Sequence, residues 1–158
     1  MSEVQSFYEK EEVENTIKDQ YLTFKIESES YGVEVAYVKE IIRMRPITRV
    51  PETPDFIEGL INLRGDLTGV ISVRKRFGKM PKEYDDDTCI VVITYNEFAL
   101  GLIVDAVEAS TEIPVDQIAP PPSAKLNYAN QFIRNIGRVG NEVKLLLDLE
   151  KFLMQDYF

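Results

Sequence analysis

The chain has 158 residues, enough for one domain with a hydrophobic core that needs no disulfide bonds. Its 18 basic and 27 acidic residues give a net charge of −9, which argues against general binding to nucleic-acid phosphates. It has no histidine and one cysteine, Cys89, which excludes imidazole chemistry, His-dependent metal sites and an internal disulfide, and favours a reducing compartment.

Charge is spread unevenly along the chain. Between Lys39 and Lys82 there are ten basic and five acidic residues, so this segment carries +5 and the remainder −14. One interpretation is a solvated surface of mixed charge. The other is a cationic face that orients an acidic partner on an acidic protein. Charge alone leaves both open.

Residues 1–18 hold few periodic apolar positions and many glutamates, which predicts a flexible acidic tail and no signal peptide. No apolar stretch approaches the ~20 residues that span a bilayer, so we expect no direct membrane insertion. Residues 22–26 alternate apolar and polar side chains, and residues 31–35 repeat the pattern after a polar break. This two-residue period predicts a β-hairpin.

Two short helical segments are predicted next. Residues 36–42 suit a helical turn, and residues 45–50 look extended because of Pro46 and Pro51. Thr53 is typical of a helix N-cap, with Phe56 and the adjacent Ile57 as the buried anchor and Gly59 as the residue that ends the helix.

The rest of the chain is typical of short strands. Residues 60–64 and 67–73 predict a hairpin joined at Gly65-Asp66, with positive φ at Gly65. A helical turn over 73–77 and a loop over 79–88 follow. Residues 114–128 look irregular, and Asp148 is placed to cap a final helix. Further strands are expected over 89–93, 98–104, 107–113, 132–139 and 143–147. Nine or ten short strands joined largely by hairpins predict an all-β protein built from antiparallel barrels.

The sequence offers no convincing catalytic group. It has no phosphate-binding loop or dinucleotide fingerprint. The three aspartates at 85–87 are more typical of a solvated loop than of a calcium site, which needs spaced ligands. Cys89 opens an apolar strand, where cysteine usually acts as an inert small hydrophobe. We therefore predict no catalytic residue, no metal and no cofactor.

Residues 56–65, FIEGLINLRG, resemble the signature of the CheW family of bacterial chemotaxis. Further blocks resemble the family in matching order, over about residues 19–155: YGV at 31–33, VKEI at 38–41, ITRVP at 47–51, GLIVDAV at 101–107 and LLLDLEK at 145–151.

The resemblance implies two five-stranded, SH3-like β-barrels packed together, with short helices and a C-terminal helix. This CheW-like domain would span residues 19–158, in approximate halves 19–82 and 83–158. It implies a non-enzymatic cytoplasmic adaptor that joins the tips of methyl-accepting chemoreceptors to the regulatory domain of the histidine kinase CheA in receptor arrays. The alternative is a small barrel that binds nucleic acid or another ligand, but Phe56 is the only aromatic residue between Tyr37 and Phe77.

By resemblance, a receptor-facing groove lies between the barrels. The residues expected there are Val38, Glu40, Arg64, Gly101, Val104 and Val107, while the kinase contacts are not assigned. The alternatives are that the valines are ordinary core, that Gly101 accommodates strand packing, and that Arg64 bonds within its own barrel. Gly59 and Gly65 are expected as turn residues.

Three positions depart from the family pattern. Gly69 weakens strand propensity, Ser72 replaces a capping carboxylate, and Asn135 stands where glycine is common. We expect these changes to leave the fold intact and to bear on the choice of partner.

Overall fold

The computed structural model describes residues 17–121 and 130–153, which form two packed β-sheets and two short helices. The first sheet has the order β8 (Ala106–Glu112), β1 (Gln20–Ile26), β2 (Glu29–Glu34), β11 (Glu142–Leu147), β10 (Ile133–Val139) and β9 (Ile118–Ala119). The second sheet has the order β3 (Val38–Arg43), β6 (Cys89–Tyr95), β7 (Phe98–Val104), β5 (Asp66–Ser72) and β4 (Ile57–Leu63). Helices α1 (Val73–Arg76) and α2 (Leu149–Leu153) follow β5 and β11. The predicted all-β class is confirmed.

The predicted hairpins form between β1 and β2, β4 and β5, and β10 and β11. In the β4–β5 hairpin, the loop residues are Arg64 and Gly65, with φ of 54° and 88°, rather than Gly65 and Asp66. Two successive positive φ angles match the right-handed twist of paired strands. The Gly65 backbone N–H also donates to the Asn62 side chain at 2.8 Å. This turn places Arg64 at the tip of the hairpin.

The chain passes between the sheets more than once. The first sheet combines β1 and β2 with β8 to β11, whereas the second contains β3 to β7. The chain crosses from β2 to β3 and returns from β7 to β8, and each sheet contains one parallel pairing, β2 with β11 and β5 with β7. The approximate halves 19–82 and 83–158 therefore do not follow the sheets, because the β1–β2 hairpin completes the sheet formed by the C-terminal strands.

The main core lies between the two sheets. It includes Phe24 and Tyr31 of the first sheet and Val91 and Leu102 of the second, all nearly fully buried. A second cluster, with Ile90 and other side chains on the opposite face, fills the interior of the second sheet. Strand β6 is therefore covered on both faces, as its continuous apolar sequence predicts.

Helix α1 and the residue after it connect the two sheets. The Phe77 ring lies 5.0 Å from that of Tyr31 and 5.9 Å from those of Phe132 and Phe152. The buried Arg76 guanidinium lies over aromatic rings, and its Nε–H donates to the Phe152 carbonyl at 3.0 Å. This contact holds α2 against α1. Asp148 accepts a hydrogen bond from the Lys151 backbone N–H at the start of α2, as predicted.

The predicted helix between Thr53 and Gly59 is wrong. Residues 57–63 form strand β4, and the Thr53 hydroxyl donates to the Val50 carbonyl instead of accepting a bond from a helix. Gly59 has φ of 144° at a register shift in β4. A Cβ added there would lie 2.1 Å from the Thr48 carbonyl oxygen. Gly59 therefore permits the close approach of residues 48 and 60, which exchange two backbone hydrogen bonds of 2.8 Å.

The predicted helical turn over residues 36–42 is also wrong. A 3-10 turn occupies Val35–Tyr37, and Val38–Arg43 forms β3, with partly buried and exposed residues in alternation. Ile41 and Ile42 lie on opposite faces of β3, because they stand opposite Val91 and Ile90 of β6. The predicted tail over 1–18 lies almost entirely outside the described residues.

Candidate partner-binding site

The Arg64 guanidinium forms a forked ion pair with Glu40. Its Nη1 and Nη2 atoms donate to the two carboxylate oxygens at 2.5 and 2.8 Å. Glu40 lies on β3 and Arg64 on the β4–β5 turn, so the pair joins the two edges of the second sheet. These hydrogen bonds, more than any other interaction, lower the pKa of Glu40 and raise that of Arg64. The alternative that Arg64 bonds within its own sheet is thus realised, while its guanidinium stays largely exposed.

Three apolar side chains lie at the margin of the core between the sheets. Val38 of β3 and Val107 of β8 are half-buried and pack against that core. Ile41 stands directly opposite Val91 on β6, so its side chain points to the same face, yet it is 45% exposed. Apolar side chains from both sheets therefore reach solvent at this margin.

Two of the six expected receptor-contact residues lie inside the protein. Val104 is 1% exposed and belongs to the core. Gly101 is buried, and a Cβ added there would lie 2.7 Å from Ile90 Cγ2. In this structure neither residue is accessible for direct contact with a partner. Gly101 permits close packing inside the second sheet, which was the alternative drawn from the sequence.

The sequence interpretation missed Ile41 as a surface residue. It assigned residues 36–42 to a helical turn with Val38, Ile41 and Ile42 on one side. Instead, β3 places Ile41 on an edge strand, between exposed Lys39 and Arg43. Residues 39–43, KEIIR, do not alternate between charged and apolar side chains, so they gave no local signal for a strand.

The departures from the family pattern have local consequences. The Ser72 hydroxyl accepts a hydrogen bond of 3.2 Å from the Lys75 backbone N–H, so it caps α1 in place of a carboxylate. Gly69 stands opposite Leu100 of β7. Asn135 lies at a register shift in the pairing of β10 with β11.

Much of the positive charge between residues 39 and 82 is neutralised locally. Five of its ten basic residues form ion pairs with carboxylates: Arg64 with Glu40, Arg74 with Asp105, Lys75 with Glu58, Lys79 with Glu27, and Lys82 with Asp85. Within the described residues, four others have no such pair: Lys39, Arg43, Arg45 and Arg49. The unpaired cations cluster on β3 and in the segment that follows it.

Two surface cavities lie away from the expected receptor contacts. One, of about 160 Å³, is lined by residues including Arg74 and Asp105, and the other, of about 600 Å³, by residues including Arg45 and Tyr84. Neither contains any of the six expected residues. Among residues 17–121 and 130–153, no three metal-ligating side chains group together. Asp85 organises its loop instead, since its carboxylate accepts from the backbone N–H groups of Asp87 and Thr88. The hydrogen bond from Lys82, and next that from the Asp87 N–H, lower the pKa of Asp85 to about 2.

Comparison with known proteins identifies the family. The model of the CheW-like domain matches residues 20–156. The chain belongs to the CheW-like family. It is 31% identical to the chemotaxis protein CheW of Klebsiella aerogenes over 141 residues, which cover 89% of this chain and 85% of that protein. It is 30% identical to CheW of Bacillus subtilis over 135 residues, covering 85% and 86% of the two chains.

A solved structure in the family has the same fold. The scaffolding protein CheW of Thermoanaerobacter tengcongensis superposes with a TM-score of 0.80 at 32% identity, over 87% of this chain and 94% of that one. The expected CheW-like architecture is thus confirmed, and the chain is a member of a family of chemotaxis scaffold proteins. No helix in the described part of the chain has the length and apolar character to cross a membrane.

Proposed function

We propose that the chain is a non-enzymatic cytoplasmic adaptor that joins the tip of a methyl-accepting chemoreceptor to the regulatory domain of CheA. The observation that carries this proposal is the apolar margin between the sheets, found in a chain of the CheW-like family. An adaptor needs surfaces that bind its partners but no catalytic groups. Exposed apolar side chains beside a rigid core form such a binding surface.

The receptor binds in a groove between the sheets, which we call the intersheet groove and define by Val38, Ile41 and Val107. Half-buried side chains of this kind can receive the apolar face of a helix, because burying their remaining surface supplies affinity. Arg43 lies on the same face of β3 as Ile41, because it stands opposite Cys89, two residues from Val91 along β6. A receptor helix with a carboxylate near its apolar face would therefore fit best.

Glu40 and Arg64 support this groove from the other face of β3. Glu40 stands opposite Val92, whose side chain belongs to the cluster inside the second sheet. The forked pair therefore fixes β3 against the β4–β5 turn without filling the groove. Gly101 and Val104 act further inside, by setting how closely β6, β7 and the core pack.

CheA docks on the second barrel, which meets one barrel of the kinase regulatory domain end to end through exposed barrel-end surfaces, as the resemblance implies. A contact of this type is mainly apolar and depends weakly on salt. The intact chain is needed to test it, because residues 83–158 lack the β1 and β2 strands that complete the first sheet. If kinase affinity falls steeply between low and high salt, the apolar contact is wrong.

The nucleic-acid alternative has less support, since five of the ten basic residues between 39 and 82 are engaged with carboxylates. The deciding experiment mixes receptor tips in membrane-like vesicles with full-length CheA and the chain. We expect CheA to sediment with the receptors, and its autophosphorylation to rise, only when the chain is present. Sedimentation that does not depend on the chain would overturn the adaptor proposal.

A further inference from the structure

An ion pair stands where the chain crosses from one sheet to the other. Strand β7 of the second sheet ends at Val104 and β8 of the first begins at Ala106, so Asp105 is the single residue between them. Its carboxylate accepts two hydrogen bonds from Arg74, at 2.7 Å from Nε and 2.6 Å from Nη2. Arg74 lies on α1, directly after β5 of the second sheet.

The same carboxylate also holds the first sheet. Asp105 Oδ2 accepts the Glu27 backbone N–H at 2.8 Å, in the turn between β1 and β2. The Asp105 backbone N–H donates to the Lys25 carbonyl at 3.1 Å. Lys79, which follows α1, reaches Glu27 at 3.3 Å. One carboxylate thus ties α1, the crossing point and the β1–β2 turn together.

We infer that Arg74 and Asp105 are positioning residues that fix the two sheets relative to each other, and thereby set the width of the intersheet groove. Val107, on one side of that groove, lies two residues beyond Asp105 on β8. Cys89, at the start of β6, and Val107 both pack against the core between the sheets, so the sheets meet there as well. Rotation about the crossing point would move Val107 away from β3 and its side chains Val38 and Ile41.

A partly buried ion pair is better suited to specifying a position than to adding stability. Removing two charges from water offsets much of their attraction, and apolar side chains of similar volume often stabilise a fold equally well. The forked geometry of a guanidinium on a carboxylate is strongly directional, unlike apolar packing. This pair therefore selects one arrangement of the sheets among those that the apolar core would accept.

The chain supplies a matched control. Lys75 is the neighbour of Arg74 on α1 and pairs with Glu58 at 2.8 Å, and the two pairs are similarly buried: side-chain exposure is 18% and 14% in the control against 15% and 13% for Arg74 and Asp105. Glu58 lies on β4 of the second sheet, so this ion pair stays within one side of the molecule. Glu58→Gln removes a comparable pair without touching the connection between the sheets.

The test measures the distance between the sheets in the free, full-length protein. Spin labels are placed at exposed Ser110 on β8 and exposed Thr94 on β6, as Ser110→Cys and Thr94→Cys in a Cys89→Ser background. We expect pulsed electron paramagnetic resonance to show a broader or shifted distance distribution in Asp105→Asn and a smaller change in Arg74→Lys. Glu58→Gln should match the parent protein. An unchanged distribution in folded Asp105→Asn would overturn the inference.

The second measurement uses the unlabelled variants and rests on the proposed receptor groove. We expect Asp105→Asn to weaken binding of the receptor tip on the order of tenfold, with kinase affinity unchanged. Glu58→Gln should leave both affinities unchanged. A broadened distribution with unchanged receptor affinity would overturn the positioning role. If the parent protein does not bind receptor tips, the groove fails, while the distances still decide whether the pair fixes the sheets. If Asp105→Asn does not fold, Arg74→Lys, which keeps the charge, takes its place in both measurements.

Discussion

The Arg64 guanidinium and the Glu40 carboxylate meet through two hydrogen bonds although their strands lie at opposite edges of the second sheet. The sheet therefore curls until its edges face each other. The backbone bridge between Thr48 and Leu60 joins the same two regions from within. The exposed Arg64–Glu40 pair and this backbone bridge thus hold the sheet curled at its two edge strands, β3 and β4, which do not pair with each other.

Arg64→Lys should separate orientation from charge at this pair. Lysine keeps the positive charge but cannot form two parallel hydrogen bonds to Glu40. Since the Arg64 side chain is 70% exposed, we expect the melting temperature to fall by less than about 2 °C, and receptor-dependent activation of CheA to fall further. The exchanged pair Glu40→Arg with Arg64→Glu should recover part of the activation. If Arg64→Lys lowers the melting temperature by several degrees but activates CheA normally at low temperature, the pair has only a structural role.

Gly59→Ala should be among the most damaging small substitutions in the chain. The added Cβ meets the Thr48 carbonyl at 2.1 Å, and φ of 144° is unfavourable for any L-residue with a side chain. We expect a loss of about 3 kcal/mol or more, or failure to fold, measured by urea unfolding. Gly65→Ala is the control, because φ there is also positive but nothing lies within 4 Å. It should cost only about 1 kcal/mol. Equal losses would show that the close approach at residue 59 is not the cause.

The Asp105 carboxylate should contribute to stability in a pH-dependent way. Burial, the largest single influence, raises its pKa, but hydrogen bonds from Arg74 and the Glu27 N–H, with the charges of Arg74 and Lys82, leave the pKa lowered. A carboxyl with a depressed pKa stabilises the folded state above its unfolded value of about 3.9, and this contribution is lost as pH falls through the folded pKa.

We therefore expect the unfolding free energy of the parent protein to fall more steeply than that of Asp105→Asn as pH drops below about 4. Lys79 and the carboxylates of Glu27 and Glu29 also face this cluster, and they are common to both proteins. At pH 7, Asp105→Asn should cost about 2–4 kcal/mol, because Arg74 loses its main partner. Parallel pH profiles for the two proteins would contradict this assignment.

Ser72→Ala tests the cap of α1. The hydroxyl accepts the Lys75 backbone N–H, and losing such a cap costs about 1 kcal/mol. Ser72→Asp restores a capping carboxylate, so we expect the Ser72→Asp protein to have a free energy of unfolding at least as large as that of Ser72→Ala. The free energies of unfolding decide this, and a fully stable Ser72→Ala variant would show that the bond at 3.2 Å contributes nothing.

The strands were predictable where one local signal was sufficient. Leu22 to Ile26 alternate strictly, and Cys89 to Ile93 are continuously apolar, so both patterns identify strands without knowledge of their neighbours. The segment around Thr53 was wrongly predicted as a helix, because Thr, Pro and Asp are typical of a helix start. The residues that follow instead form β4, whose pairing with β5 depends on residues farther along the chain. Gly59 fits a helix end locally, and only the approach of Thr48 reveals its role.

The candidate site was predictable in part. The resemblance pointed to Glu40 and Arg64 separately. These residues are 24 positions apart in sequence, and their contact depends on the curl of the sheet. Ile41 was missed because its exposure depends on β3 being an edge strand. Arg74 and Asp105 carried no local signal, since the crossing between sheets becomes visible only with the strand order.

Binding of the receptor tip to Val38→Asp tests the central claim most directly. Val115→Asp is the matched control, because Val115 is also a valine and 68% of its surface is exposed. It lies just after the end of β8 that is farther from Asp105. If Val38→Asp fails to fold, Ile41→Asp, which changes a more exposed side chain of the groove, takes its place. By isothermal titration calorimetry on folded proteins, we predict binding at least about tenfold weaker for Val38→Asp, since a charge would enter the apolar contact, and unchanged binding for Val115→Asp. Equal affinity of Val38→Asp and the parent protein would contradict the assignment of the intersheet groove to the receptor.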